Sequence, residues 1–308
     1  SLVGSEMCIR DSYRAVAANG ASQGFRMILR LPRGRASQQH LTVLKRISQH
    51  THELPRVIEW EAKADYLDVV THWTDGVTLD QYFDLLRQGK RPWPSPTEAF
   101  KRYRYLVHAL TQLYVQAGIV HGDLTPENLI ITSKPPRLVM VDFGSAWAVE
   151  QSATKASGDG RTPAYAAPER LLGGTAPGLT SDQFSATVIL YEMLTGECPH
   201  GGIGGAAGLP KNRADHGSSL VPPSRKAQDR RYLPAAIWRE IDELAERGLA
   251  LDPAQRFPSA NEWRDAVDRV HQTILVQHPH HRPTRLDRIV TWFERLWRSD
   301  SPADRDAP

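Results

Sequence analysis

Apolar positions along the chain change their period partway through. Residues 13–18 and 25–31 are short apolar-rich runs flanking Asn19-Gly20 and Gly24. Asn-Gly is a turn signal, so the two runs predict a hairpin. Leu41, Leu44 and Ile47 recur at helical spacing and predict a helix over 38–48. Residues 57–61 and 66–73 predict a second hairpin. Beyond it the helical period takes over, first in a short helix over 79–87. A proline-rich turn at 92–96 follows, with Ser95 or Thr97 as cap. Phe100, Tyr103, Leu106, Val107, Leu110, Leu113, Tyr114 and Ala117 then form one stripe of a long buried helix. Residues 129–131 and 138–141 predict two small strands around Lys134-Pro135-Pro136. Phe184, Val188, Tyr191 and Leu194 mark another helix, stopped by Gly196. Residues 196–232, rich in Gly and Pro, predict an irregular surface insertion. Two more helices run through Ile237, Ile241, Leu244 and Leu249, then through Trp263, Val267, Val270 and Ile274. No internal repeat is visible. The pattern is α+β and bilobal: a small β-rich lobe precedes a larger helical lobe, and the cleft between them is where a ligand belongs.

Composition narrows the classes. Hydrophobic residues are 40% and charged residues 24% of the 308, ordinary for a globular protein. No apolar run reaches the roughly 18 residues of a transmembrane helix. A net charge of +3, with Lys and Arg scattered, argues against nucleic acid as a partner. Cys8 and Cys198 are too few for a disulfide framework or a zinc site, which points to a reducing, cytoplasmic setting. Residues 1–12, SLVGSEMCIRDS, lack the apolar core of a signal peptide. They resemble a translated sequencing-adapter read-through and are set aside, the alternative being a native disordered terminus.

Three polar clusters sit where the helical pattern breaks: 121–128 (HGDLTPEN), Asp142-Phe143-Gly144, and Ala167-Pro168-Glu169 with Ser181-Asp182 opening a helix. Phosphoryl transfer asks little covalent chemistry of a protein; it needs a carboxylate to orient the attacking hydroxyl and oxygen ligands for Mg²⁺. Asp123 is a candidate base, and Asn128 and Asp142 are candidate ligands. Singly each is weak, because a lone Asp in a loop is more often a turn former or a cap.

In this order and spacing, the clusters resemble the eukaryotic-like (Hanks-type) bacterial Ser/Thr protein kinase family over about residues 13–270. HGDLTPEN matches its catalytic loop, VDFG its metal-binding strand end, RTPAYAAPE the end of its activation segment, and SDQFSATVILYEMLTGECPH its central helix. LDPAQRF matches the late segment that bears an arginine. The resemblance implies domains at 13–74 (an incomplete small lobe) and 75–275 (the large lobe), with 276–308 as linker, amphipathic helix and tail. It implies ATP and Mg²⁺ as cofactors and a protein substrate. By resemblance Asp123 is the base, and Asn128 and Asp142 hold the metal. Glu169 and Arg256 form a buried ion pair, and Asp182 bonds the catalytic-loop backbone. His121, Phe143 and Leu44 stack between the lobes. Thr71 is the gatekeeper, with His72 to Thr74 as the hinge that meets adenine. Thr162 favours Ser/Thr over Tyr acceptors.

The chain also departs from the family. No Gly-rich phosphate loop is present, and 13–15 resembles the strand after it, so the loop is expected upstream. The strand-three lysine falls at Arg30, which keeps a charge but not an ammonium's shape; the bland alternative is a strand arginine facing solvent. Its glutamate partner falls at Gln39 or His40. Gly122 replaces the arginine that reads activation-loop phosphorylation, so activity is expected to be independent of that switch. Thr125 replaces a lysine near the transferred phosphate. Arg30, His40 and Thr125 favour an alternative, a pseudokinase that binds or scaffolds. The HGD opening also occurs in small-molecule phosphotransferases, but the DFG, APE and SDQFS elements argue against them.

The glycine-rich stretch 201–208 follows a helix and not a strand, so it reads as a flexible surface loop and not as a nucleotide loop. His278, His280 and His281 read as polar linker more than as metal ligands. A helix over 284–298 puts Leu286, Ile289, Val290, Phe293, Leu296 and Trp297 on one face, with arginines off it. Such a helix suits docking on the large lobe or a partner, or lying peripherally on a membrane.

Overall fold

The structure, a computed structural model, describes residues 12–15, 26–32, 35–50, 54, 57–132, 138–148, 163–173, 176–212 and 220–277. Residues 1–271 form one compact unit and 272–308 a second. The 284–298 helix, the histidines at 278–281 and Thr162 lie outside the described residues.

Four antiparallel strands build the first lobe: β1 (Ser12–Ala15), β2 (Arg26–Pro32), β3 (Val57–Ala62) and β4 (Tyr66–His72), in the order β1-β2-β4-β3. β1 begins at Ser12, so the last residue of the segment set aside above pairs with Leu29. β4 alternates strictly, with Leu67, Val69 and Thr71 buried. Between β2 and β3 the chain forms helix α1 (Arg35–His50), which buries Val43, Leu44 and Ile47.

The second lobe is helical. α2 (Leu79–Arg87) opens on a capping box in which Thr78 Oγ1 accepts from Gln81 N and Gln81 Oε1 accepts from Thr78 N. α3 (Pro96–Ala117) starts at Ser95, whose Oγ accepts from Glu98 N, with proline at the first helical position. α4 (Pro168–Leu171) leads to α5 (Leu179–Thr195), which ends on Gly196 at φ 83°. α6 (Pro223–Lys226), α7 (Ala235–Gly248) and α8 (Ala260–Gln277) complete the lobe.

α5 is the axis. Every residue of 181–195 is buried, and the polar side chains among them, from Ser181 to Thr195, are bonded inside the lobe. Gln183 exchanges two bonds with the backbone of Phe257 (3.0 and 3.2 Å), and Thr187 Oγ1 meets Tyr103 Oη at 3.2 Å.

Two-residue strands, too short to carry a period, hold the loops at the front. β5 (Val77–Thr78) pairs with β7 (Leu129–Ile131), which pairs with β8 (Leu138–Met140); β6 (Ile119–Val120) pairs with β9 (Trp147–Ala148). The expected surface insertion at 196–232 is corrected. It contains a helical turn at Gly204–Gly208 whose Gly204, Gly205, Ala207 and Gly208 are buried, and it also contains α6.

Candidate active site

β6 carries the chain out of α3 and delivers His121. Asp182, in the first turn of α5 and 3% exposed, accepts from His121 N at 2.7 Å and from Gly122 N at 2.9 Å. Burial pushes its carboxyl pKa up, while His121, the two backbone N–H groups and Arg170 pull it down. The start of the loop is thus tied to the most buried helix. The His121 ring lies 5.0 Å from the Phe143 ring, centroid to centroid, and its Nε2 is 3.1 Å from Val141 O. Leu44 is buried on α1, which runs beside the turn Phe143–Ser145.

Gly122 has φ +77°, and a Cβ there would stand 2.8 Å from Ser145 O and 3.2 Å from the Pro177 ring. A side chain at 122 therefore meets strain and a backbone oxygen together. The glycine is built into the turn and is more than a missing arginine.

Asn128 and Asp142 are brought together by one bond, Val141 N to Asn128 O at 2.9 Å. Asn128 N donates to Thr125 O at 3.1 Å, and its Nδ2 donates to Asp123 O at 2.9 Å. The nitrogen end of that amide is thereby committed inward, and its oxygen is the acceptor end. Asp142 sits at φ +58°, left-handed for a non-glycine residue, where the chain turns sharply after β8. Such a conformation costs on the order of 1–3 kcal/mol and clusters at functional sites. An amide oxygen and a carboxylate are hard donors that suit a divalent ion such as Mg²⁺.

On the first lobe, Thr71 is 2% exposed and its Oγ1 has no partner among the described residues. His72 ends β4 and is exposed, and Thr74 is half-buried. Met27 and Leu29 stand opposite Thr71 and Val69, whereas Arg30 stands opposite Asp68. Gln39 and His40 lie within α1.

The end of the activation segment is anchored twice. Arg256, whose side chain is wholly buried, donates to Glu169 Oε1 at 2.7 Å and Oε2 at 3.0 Å. It also donates to Ala250 O (2.8 Å) and Thr180 O (2.9 Å), and it lies 4.9 Å from the Phe184 ring. Tyr165 Oη donates to Glu192 Oε2 at 2.6 Å, and Arg87 Nη2 donates to Oε1 of the same carboxylate at 2.5 Å. Burial pushes Glu192 up, while Tyr165 and Arg87 pull it down. Sequence reasoning missed this trio. The available signal was an acid inside the otherwise apolar Leu190–Leu194 stretch of α5.

A cavity beside the catalytic loop is lined by Asp123 and Thr125 together with Ala166 and Ala167. A bilobal fold with this loop, this strand end and this anchored segment defines a protein kinase. The family model "Protein kinase domain" matches residues 32–270, so the chain belongs to the protein kinase family. Among its relatives are the serine/threonine-protein kinase PknB of Mycolicibacterium smegmatis, 34% identical over 66% of this chain and 30% of that protein. Others are pkn2 of Myxococcus xanthus (28%; 71% of this chain, 25% of that protein) and the probable serine/threonine-protein kinase HSL1 of Saccharomyces cerevisiae (29%; 71% and 13%). The chain thus spans less than a third of the length of these curated relatives. Among the described residues no helix is long and apolar enough to cross a membrane.

Proposed function

We propose that the chain transfers the γ-phosphoryl group of ATP to serine or threonine hydroxyls of a protein substrate. The observation that carries this reading is the shared framework of Asp123, Asn128 and Asp142: an Asn128 side chain bonded to the Asp123 backbone and a strand bond linking 128 to 141.

Asp123 accepts the proton of the acceptor hydroxyl as its oxygen bonds to the γ-phosphorus and the bond to the β–γ bridging oxygen breaks, leaving ADP. Asn128 and Asp142 would hold a Mg²⁺ ion, which would supply positive charge to offset that of the phosphates. The Thr71 hydroxyl and residues 72–74 meet the adenine. Thr162, by resemblance, favours aliphatic over phenolic hydroxyls. Arg30, in the place of the strand-three lysine, offers its guanidinium to the phosphates. Gly122 leaves activity independent of a phosphorylated activation loop.

The test is radiolabelled phosphate transfer with Mg-ATP, on the chain beside Asp123→Ala and Asp142→Ala. Transfer to itself or to a generic protein substrate, lost in both variants, is expected. No transfer above the background of the variants would overturn it and leave the binding or scaffolding reading.

A further inference from the structure

Residues 164–168, the end of the activation segment, rest on glycine backbone. Gly204, Gly205 and Gly208 are buried, and Gly205 N donates to Ala164 O at 3.1 Å. A Cβ on Gly204 would overlap Ala164 O and stand 2.7 Å from the carbonyl carbon behind it. On Gly205 it would overlap Ala166 O, with the Phe184 ring 3.1 Å away; on Gly208 it would overlap the Pro168 ring. The first two obstacles are backbone, which cannot swing aside as a side chain does. Contacts under 3.0 Å essentially never occur, so a side chain at 204 or 205 drives 164–166 outward by more than an ångström.

The same segment is held from within by the Tyr165–Glu192 bond. Backbone sits on the glycines, the tyrosine turns inward, and Ala164 and Ala166 remain partly exposed. Ala166 and Ala167 line the same cavity as Asp123. A surface loop free to flex would show none of these close approaches.

We propose that Gly204 and Gly205 are positioning residues for the protein substrate, setting the depth at which 164–167 lie opposite Asp123 and so where the acceptor hydroxyl comes to rest. This rests on the phosphotransfer reading above. The hydroxyl must reach hydrogen-bond distance of the carboxylate, and a displacement of about 1 Å costs up to about 10²-fold in rate. Nucleotide, held by the other lobe and by Asn128 and Asp142, is untouched by the same displacement.

The experiment measures KM for a protein acceptor, KM for ATP, kcat and thermal midpoint in the full chain, Gly205→Ala, Gly208→Ala and Gly201→Asn. Gly201 has open space around it and φ +70°, which asparagine tolerates, so Gly201→Asn serves as the control. Gly205→Ala is expected to lower kcat/KM for the acceptor about tenfold or more while the KM for ATP stays within about twofold. Gly208→Ala, whose obstacle is a ring that can shift, shows the same split at smaller size and carries the test if Gly205→Ala does not fold. A folded Gly205→Ala with unchanged acceptor kcat/KM, or a KM for ATP that rises as much as acceptor kcat/KM falls, overturns the proposal and leaves the kinase reading standing. If the unsubstituted chain transfers no phosphate, the kinase reading fails and this inference with it.

Discussion

Removing Glu169 exposes how the activation segment is anchored. Arg256 is wholly buried and makes four bonds, two to Glu169 and two to the carbonyls of Ala250 and Thr180. Glu169→Ala deletes half of them and leaves a cation with no counter-ion in the interior. Breaking a buried pair from one side costs about 3–5 kcal/mol. Glu169 keeps 16% of its side chain exposed, so water reaches that edge and the lower end, about 3 kcal/mol, applies. At roughly 2–4 °C per kcal/mol for a domain of this size, the thermal midpoint falls by about 6–12 °C. Urea unfolding followed by tryptophan fluorescence reads the same loss as a lower midpoint at unchanged slope. A double variant, Glu169→Met with Arg256→Met, regains most of the loss, because two apolar chains of similar length leave no buried charge. A Glu169→Ala midpoint within about 2 °C of the parent would refute the reasoning. It would mean that the two carbonyls and water suffice for Arg256.

Other perturbations read other parts of the site. Arg30→Ala is expected to weaken nucleotide affinity about tenfold by calorimetry, about 1.4 kcal/mol; affinity within about twofold of the parent would take Arg30 away from the phosphates. Gly122→Arg should destabilise by at least the roughly 1–2 kcal/mol of a left-handed non-glycine residue, and equal stability would show that the turn at Ser145 yields. Asp268 accepts from Arg104 Nε (2.6 Å) and lies 2.8 Å from His108 Nε2. Burial raises its pKa, but the bonds to His108 and Arg104 outweigh this and hold it below 3.8. A depressed carboxyl contributes stability above its unfolded pKa that is lost as pH falls through the folded value. Below about pH 4 the parent should therefore lose stability more steeply than Asp268→Asn, and parallel curves would remove the pair from the acid limb. Thr71→Val should leave the free chain as stable or slightly more so, since it removes a buried unpaired hydroxyl, and should weaken ATP binding measurably. Unchanged ATP affinity would take that hydroxyl out of the nucleotide site.

The helical half was legible because period and caps agree: α2 falls on 79–87 as expected, and Gly196 ends α5. β5, β6 and β9 have two residues each, less than one turn of any period, and arise only when distant loops meet. The polar clusters of the site were readable as residue types in order. The pairing of β2 with β4 was not, because sequence does not display register. The glycines at 204–208 misled for a related reason. Composition reports that glycine is free to bend, whereas here it serves to let two backbones touch. Glu192 was hidden by its apolar neighbours, its partners Arg87 and Tyr165 being 105 and 27 residues away in sequence.

The burial of α5 has one more consequence. Amide exchange proceeds through local openings, and segments with the most buried contacts open last. The N–H groups of 181–195 should be the slowest to take up deuterium, protected up to the free energy of whole-lobe unfolding. Asp182 hangs the catalytic loop from the first turn of that helix, and Glu192 hangs the activation segment from its fourth. The two loops can therefore breathe on their own timescale without losing their moorings. Heat should abolish chemistry well before it releases the helix.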